Sequence, residues 1–175
     1  MKEARISAPK KKSTTKRILL HISRGSFGIV LFFVLLLSTI VIAQLFGVEF
    51  DTVVSPSMAP EIPVGSLVVT VPTDFSKIEV GDDVTYKVGS SNVTHRVIGT
   101  DADAQSLYTQ GIANNTPDGA VSENQLVGKV ALHIPLAGYV LFSLSTVKGK
   151  ILAALIMGVL AVISVLLEKT AKSTI

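Results

Sequence analysis

The sequence contains no cysteine, so neither disulfide bonds nor thiolate metal sites can hold the chain together. Histidine is also scarce. The three histidines, His21, His95 and His133, are scattered along the chain, and none stands at the spacing of metal ligands. We therefore predict that the protein holds no metal ion and needs no cofactor.

Basic residues are few in the middle of the chain. Residues 47–147 carry four Lys or Arg against eleven acids, whereas residues 1–24 carry eight Lys or Arg and one acid. An acidic body argues against binding to nucleic acid, whose recognition needs clustered positive charge. The basic tail stands beside an apolar run, which is typical of a membrane-flanking segment attracted to anionic lipid.

Two long runs carry no charge at all. The first comprises the 24 residues between Arg24 and Glu49, and about 20 suffice for a helix to cross a hydrocarbon core. A cleavable signal peptide is the alternative, but its apolar core is only about 7–15 residues long, so we predict a membrane helix at residues 25–48. The second run, residues 151–167, has 17 residues. A buried helix of a soluble domain is the alternative there, and we favour a second span because the run is apolar on every side.

The asymmetry of charge predicts an orientation. Basic flanks stay on the cytoplasmic side of a membrane, so residues 1–24 and residues 168–175 are expected to form two cytoplasmic tails. Residues 49–147 then face outward. We predict a multi-pass protein of the cell membrane whose acidic segment lies outside.

The outer segment has the pattern of β structure. Short stretches rich in Val and Thr alternate with Gly, Pro, Asn and Asp, as in antiparallel strands joined by turns. About five strands within roughly 80 residues predict a small, coiled antiparallel sheet or partial barrel. The predicted fold class is therefore mainly β, with one N-terminal and one C-terminal transmembrane helix. The five segments are GSLVVTVP, DDVTYKV, SNVTHRVIGT, SLYTQG and LVGKVALHIP.

Three residue types needed for acyl transfer occur in order in this segment: Ser57, His95 and Asp118. A serine hydroxyl is a weak nucleophile until a base takes its proton, and histidine suits that work near neutral pH. In the alternating stretch 93–97, period two puts His95 on one face with two valines, which disfavours the charged imidazolium. Asp118 lies in a Pro-Asp-Gly turn, which suits a carboxylate held in place to orient the histidine.

Four motifs carry a resemblance to a known family. SPSM (residues 55–58) just beyond the first apolar run, VTHRVIG (93–99), YTQGIANNTPDG (108–119) and LVGKV (126–130) together resemble type I signal peptidases. They are most similar to the subtype with a Ser–His pair, found in the endoplasmic reticulum, archaea and some Gram-positive bacteria. The resemblance runs from about residue 27 to residue 167. It implies a membrane-bound serine endopeptidase that removes signal peptides from exported preproteins.

The resemblance also implies roles for individual residues. Ser57 is the nucleophile, His95 the general base and Asp118 the supporting acid. The Ser55 hydroxyl and the backbone N–H of Ser57 stabilise the oxyanion, and Met58 packs beside the nucleophile or contacts substrate. The implied partners are signal-peptide-bearing preproteins, membrane lipid and the protein-export translocon.

One position departs from the family pattern. Gly-Asp is usual where this chain has Gly111-Ile112, so a box with two carboxylates is reduced to Asp118 alone. The alternative function is therefore a catalytically impaired relative that serves as a binding or assembly factor. Restoring the acid by Ile112→Asp is expected to change turnover much less than Asp118→Asn, with at most a modest gain, provided that position 112 is not buried in apolar packing. A self-cleaving regulator of the related Ser–Lys fold is disfavoured by His95 and by the apolar runs.

Overall fold

The structure, a computed structural model, describes residues 13–173. Over that range the chain forms three α-helices and a seven-stranded antiparallel sheet. The fold is mixed α and β rather than mainly β. The prediction was wrong on this point because the first and last helices extend well beyond the apolar runs, over 33 and 27 residues.

The described residues divide into two compact units: residues 40–150 form one, and the helices on either side of them form the other. In chain order the elements are α1 (Ser13–Leu45), β1 (Glu49–Thr52), β2 (Leu67–Val71), β3 (Asp83–Val88), β4 (Ser91–Asp101), β5 (Ser106–Gln110), β6 (Ala120–Ser122), β7 (Leu126–Ile134), α2 (Ala137–Ser145) and α3 (Val147–Ser173), with 3-10 turns at Phe75–Lys77 and Glu123–Gln125.

Helices α1 and α3 are long and apolar enough to cross a membrane. Their apolar parts, Arg24–Leu45 and Val147–Thr170, have 22 and 24 residues, or about 33 and 36 Å at 1.5 Å per residue. Only 6% of each apolar window is buried within the structure, so neither is the buried core helix of a soluble domain. The hydroxyls of Ser26 and Ser164 lie 2.6 Å apart and join the two helices, a polar contact of the kind that links helices in lipid.

The sheet is open and antiparallel, with the strand order β1-β2-β7-β3-β4-β5-β6. The five predicted strands are present as β2, β3, β4, β5 and β7. Both edge strands, β1 and β6, were missed. In the β3–β4 hairpin, Val84 pairs with His95 and Tyr86 with Val93, so that alternate residues of the two strands share a face.

The side chains of the sheet unit form two apolar clusters, both of which support the chain around the predicted catalytic residues. One lies between β3, β4, β5 and β6. The other joins the loop after β1 to β2. The first consists of Ile78, Val84, Tyr86, Val97, Leu107 and Val121, and the second of Met58, Ile62 and Val68.

Helix α2 was not predicted. It packs on β1 and β2, and Gly138 makes the close approach possible. A Cβ at this glycine would lie 2.4 Å from the carbonyl oxygen of Ser66 and 2.7 Å from that of Gly65. Two hydrogen bonds fix the contact: Gly138 N–H donates to Gly65 O at 3.0 Å, and the Thr52 hydroxyl donates to Gly138 O at 3.0 Å.

Candidate active site

Ser57 lies in a loop, residues 53–66, that begins and ends on neighbouring strands. Two hydrogen bonds close its base, from Val53 N–H to Ser66 O (2.9 Å) and from Gly65 N–H to Val53 O (2.8 Å). Met58 and Ile62 point inward and are 2% and 1% exposed. Burial of these side chains holds the loop against the sheet and leaves Ser57 half-buried at its surface.

A second loop, residues 111–118, runs against the first. Ala113 N–H donates to the carbonyl oxygen of Ser57 at 2.8 Å. Gly111 is buried here, and a Cβ at this position would lie 2.7 Å from the same oxygen. Such an approach is possible only without a side chain, so Gly111 fixes the contact between the two loops.

Ser57 and His95 line the same cleft, which has a volume of about 320 Å³. This is the low end of the range for small-ligand sites. Ser55, Met58 and Asn114 also line it. The hydroxyls of Ser55 and Ser57 lie 3.2 Å apart. Among the described residues no hydrogen bond joins Ser57 to His95, and none engages the Ser57 N–H. In enzymes without substrate, catalytic hydrogen bonds are often long and tighten only in the complex.

The ring of His95 is oriented by a contact with Asp118. Strand β4 buries His95 to 7% exposure and buries Val97 on the same face, as period two predicts. The Nδ1 atom of His95 lies 2.5 Å from Oδ2 of Asp118. An ionised carboxylate can only accept, so this contact puts the proton on Nδ1 and leaves the lone pair of Nε2 available.

Two hydroxyl groups donate to the same carboxylate oxygen. Thr109 Oγ1 lies 2.8 Å and the Tyr86 hydroxyl 3.1 Å from Asp118 Oδ2. Burial, followed by the charge of Asp118, raises the pKa of Tyr86 to about 12, so the phenol keeps its proton at physiological pH. A backbone bond from Asp118 N–H to Thr109 O (2.8 Å) fixes the aspartate further. Asp118 is thus oriented by β3, β4 and β5 together.

His95 and Asp118 also border a second, shallower groove on the side away from Ser57. Its volume is about 440 Å³, and Tyr86, Val93 and Gln125 contribute to its walls. Ser57 does not line it. His95 therefore borders both pockets, whereas Asp118 borders the second groove and not the Ser57 cleft.

Arg96, next to His95, points the other way and joins the Ser57 loop to the sheet. Its guanidinium bonds Asp83 on β3 at 2.8 and 3.1 Å, and Glu61 in the loop at 2.6 and 3.2 Å. The hydrogen bond from Arg96 lowers the pKa of Glu61. Two-pronged contacts of this kind are specific to arginine.

Two carboxylates of the edge strand β1 contact Asn92 of β4. Asn92 Nδ2 donates to Glu49 Oε2 at 2.5 Å and to Asp51 Oδ2 at 3.0 Å. Burial raises the pKa of Asp51, which lines the cleft. The amide of Asn92 therefore connects β1 to the strand that carries His95.

The structure places Ser55, Met58 and Ile112 as follows. Ser55 is exposed at the cleft beside Ser57. Met58 is buried in the apolar cluster and still lines the cleft wall. Ile112 is half-buried and packs against that cluster, so an aspartate at position 112 would lie beside apolar side chains.

Four residues with evident positioning roles were missed from the sequence: Tyr86, Thr109, Arg96 and Asn92. A signal existed for two of them. If β3 and β4 are read as a hairpin turning at Gly89, alternation puts Tyr86 on the face of His95, and Thr109 follows on the next strand. No comparable pattern links Arg96 to Glu61, because the partners lie 35 residues apart and one is in a loop.

Among the described residues, no group of three or more His, Asp or Glu is placed to hold a metal ion. The chain was also compared with known proteins. No family model matches it, and no curated protein matches it.

Proposed function

We propose that this protein is a membrane-bound serine endopeptidase that cleaves signal peptides from exported preproteins. The observation that carries the proposal is the contact of His95 Nδ1 with Asp118 Oδ2, made at the wall of the cleft that Ser57 also lines. A nucleophile, a base and an orienting acid are the parts that acyl transfer needs.

The chemistry follows from these atoms. Ser57 Oγ attacks the substrate carbonyl carbon while His95 Nε2 takes its proton. The imidazolium, stabilised by Asp118, then gives that proton to the leaving amine as the C–N bond breaks. A water molecule, deprotonated by Nε2, attacks the ester carbon, and the proton returns to Ser57 Oγ as the acid product leaves.

The oxyanion formed at each addition step needs donors. The Ser57 N–H makes no other hydrogen bond among the described residues, and the Ser55 hydroxyl lies beside Ser57 Oγ. The Ser57 N–H is therefore available to the developing charge, and the Ser55 hydroxyl can exchange its contact with Ser57 Oγ for one with the oxyanion. One such donor lowers the activation barrier by on the order of 3 kcal/mol.

The substrate and its setting follow from the wider chain. Helices α1 and α3 would span the membrane with both tails in the cytoplasm, and the sheet would form the partial barrel outside. Preproteins emerging from the export translocon would then meet the cleft near the lipid surface. The small size of the cleft suits small residues at the first and third positions before the cut.

The proposal is tested with a model preprotein and the purified full chain in detergent. Wild type should release the signal peptide, and Ser57→Ala and His95→Ala should not. Matched controls are Ser90→Ala, at an exposed turn, and His133→Ala, at an exposed position of β7, both of which should keep activity. Cleavage by Ser57→Ala at the wild-type rate would rule out this nucleophile.

One observation favours a second candidate, a substrate-holding factor without turnover. Ile112 stands where the family places an acid, and it packs against an apolar cluster. If the wild-type chain binds a preprotein but never cleaves it, the holding function is the correct one.

A further inference from the structure

Three threonine hydroxyls form a row that runs from the interior of the sheet unit to the Ser57 cleft. Thr70 Oγ1 lies 2.8 Å from Thr85 Oγ1, which lies 2.9 Å from Thr94 Oγ1. Thr70 and Thr85 are 0% exposed, whereas Thr94 is half-buried and lines the cleft. We call these three residues the threonine row. It joins strands β2, β3 and β4.

The inner half of the threonine row crosses a strand. β2 and β3 are not adjacent in the sheet, because β7 lies between them. Gly128 of β7 pairs with Thr85, and a Cβ at this glycine would lie 2.1 Å from the carbonyl oxygen of Val71, the residue after Thr70. Since Gly128 has no side chain, β2 can pass close to β7 at this point, and Thr70 reaches across to Thr85.

A count of protons gives the threonine row a direction. Each hydroxyl has one proton, so three protons serve two hydrogen bonds and one proton remains. Among the described residues neither Thr70 nor Thr85 has a side-chain hydrogen bond outside the row. A remaining proton on either of them would be buried without an acceptor, which costs free energy. One arrangement avoids this cost: Thr70 donates to Thr85, and Thr85 donates to Thr94.

This arrangement leaves the proton of Thr94 for the cleft. The Thr94 hydroxyl receives a hydrogen bond from Thr85 and has no other partner among the described residues. A hydroxyl that receives a hydrogen bond is polarised by it and becomes a stronger donor. The cleft wall next to His95 therefore carries a donor whose direction is set from the interior of the sheet unit.

We propose that Thr94 is a substrate-binding residue, whose hydroxyl donates to a backbone carbonyl oxygen of the peptide held in the Ser57 cleft. Thr85 and Thr70 are then positioning residues, which aim that hydroxyl. The inference rests on the proposed function for the nature of the ligand, because a peptide offers a carbonyl acceptor at every residue. It does not depend on turnover, since the hydrogen bond is made on binding.

The test measures binding instead of cleavage, with the full chain in detergent and Ser57→Ala in every variant. The probe is a synthetic peptide that spans a signal-peptide cut site, with small residues at the first and third positions before the cut. In a series of such peptides, one carbonyl oxygen at a time is replaced by sulfur, a weaker acceptor. The Ser57→Ala chain is compared with the same chain carrying Thr94→Val, Thr94→Ser or Thr100→Val, the last a matched control at an exposed threonine of β4.

At one carbonyl, sulfur should raise the Kd of the Ser57→Ala chain about two- to tenfold, which corresponds to one neutral hydrogen bond. The same replacement should have no effect on the Thr94→Val variant, whereas Thr94→Ser and Thr100→Val should respond as the parent chain does. A threonine with a merely structural role would leave the effect of sulfur unchanged in Thr94→Val at every carbonyl, and that result would overturn the proposal. Failure of the Ser57→Ala chain to bind any of the peptides would overturn it as well.

Cleavage of the unmodified peptide by the wild-type chain is measured alongside, so that the two proposals can fail separately. If sulfur weakens binding only when Thr94 is present but the wild-type chain never cleaves, the assignment of Thr94 is correct and the protease proposal is wrong. If the wild-type chain cleaves and the effect of sulfur is the same with and without the Thr94 hydroxyl, the assignment of Thr94 is wrong.

Discussion

Asp118 Oδ2 receives three donors at once, from the His95 ring and from the Thr109 and Tyr86 hydroxyls. The three contacts fix the position of the carboxylate, and its contact with His95 in turn favours the proton on Nδ1. Under the proposed function, the base would be oriented by Asp118, Thr109 and Tyr86, none of which lines the Ser57 cleft. Two predictions test this arrangement.

The first concerns the charge of Asp118. Asp118→Asn keeps the shape but can present an NH₂ group to Nδ1, which favours the wrong tautomer of His95. By analogy with other triad acids, turnover should fall by up to about 10⁴-fold. Steady-state cleavage of a preprotein measures it, with circular dichroism to show that the variant is folded. Activity equal to wild type would remove Asp118 from the mechanism.

The second concerns the hydroxyl donors. Tyr86→Phe removes one hydrogen bond to a charged group, an interaction of about 1.5–3 kcal/mol, part of which will appear as lost stability. Because Tyr86 does not line the Ser57 cleft, the loss should fall on kcat rather than KM. Tyr108→Phe is the matched control, at an exposed phenol on β5. A change confined to KM would mean that Tyr86 acts on substrate binding instead.

At the scale of elements, the sequence predicted the strands that have a strong local pattern. β2 to β5 and β7 are Val- and Thr-rich runs between turn residues, and each is a strand. β1 (EFDT) and β6 (AVS) are too short for alternation to show, and they form because neighbours pair with them. The sequence of α2 looks like a continuation of the apolar strand β7. Its helical form became evident only from its packing on Gly65 and Ser66 in the structure. Ser57, His95 and Asp118 were predicted from chemistry and motif, whereas their supporting contacts depend on register and loop path.

The Arg96 bridge gives the third prediction. Arg96→Lys keeps the charge but cannot bond Asp83 and Glu61 by two prongs each, so the Ser57 loop should loosen and KM should rise a few-fold. Lys129→Met is the control, since it breaks the Lys129–Asp82 ion pair (2.6 Å) without touching the loop. If both variants lower activity equally, the effect is general destabilisation and not loop placement.

The same bridge has a defined pH range. The pKa of Glu61 is lowered in the folded chain, so the ion pair stabilises the fold above the ordinary pKa of glutamate. That contribution is lost as the pH falls through the lowered value. At neutral and mildly acidic pH the bridge should therefore stay intact.

The fourth prediction corrects the expectation for position 112. Ile112 packs against Met58, Ile62 and Val68, so Ile112→Asp puts a charge next to the cluster that supports Ser57. We expect a loss of about 1–3 kcal/mol in the free energy of unfolding, measured by denaturant titration, and no gain in activity. Ile112→Val, which only trims a methylene group, should lose about 0.5–1.5 kcal/mol. An aspartate variant as stable as wild type and more active would show that the acid's site is still available.

At the scale of the whole molecule, charge predicts a topology. Residues 1–24 carry eight basic residues and one acid, and residues 47–147 carry four and eleven. A protease added to intact cells or spheroplasts should therefore cut between Glu49 and Val147 and spare an epitope tag at the N-terminus. Protection of the sheet unit, with digestion of the tag, would reverse the orientation and remove the proposed function.

Strand β1 is attached at both ends, to α1 at its start and to α2 at its end. The last turn of α1 belongs to the same compact unit as the sheet, and Val48 N–H bonds Ala43 O at 3.1 Å, so α1 runs into β1 without a free linker. α2 is bonded to the other end of β1 through Thr52, and Ser57 follows five residues later. Within the sheet unit, the position of Ser57 is therefore set from both ends of β1. Under the proposed function, loosening either end of β1 should therefore lower cleavage even though Ser57, His95 and Asp118 are unchanged.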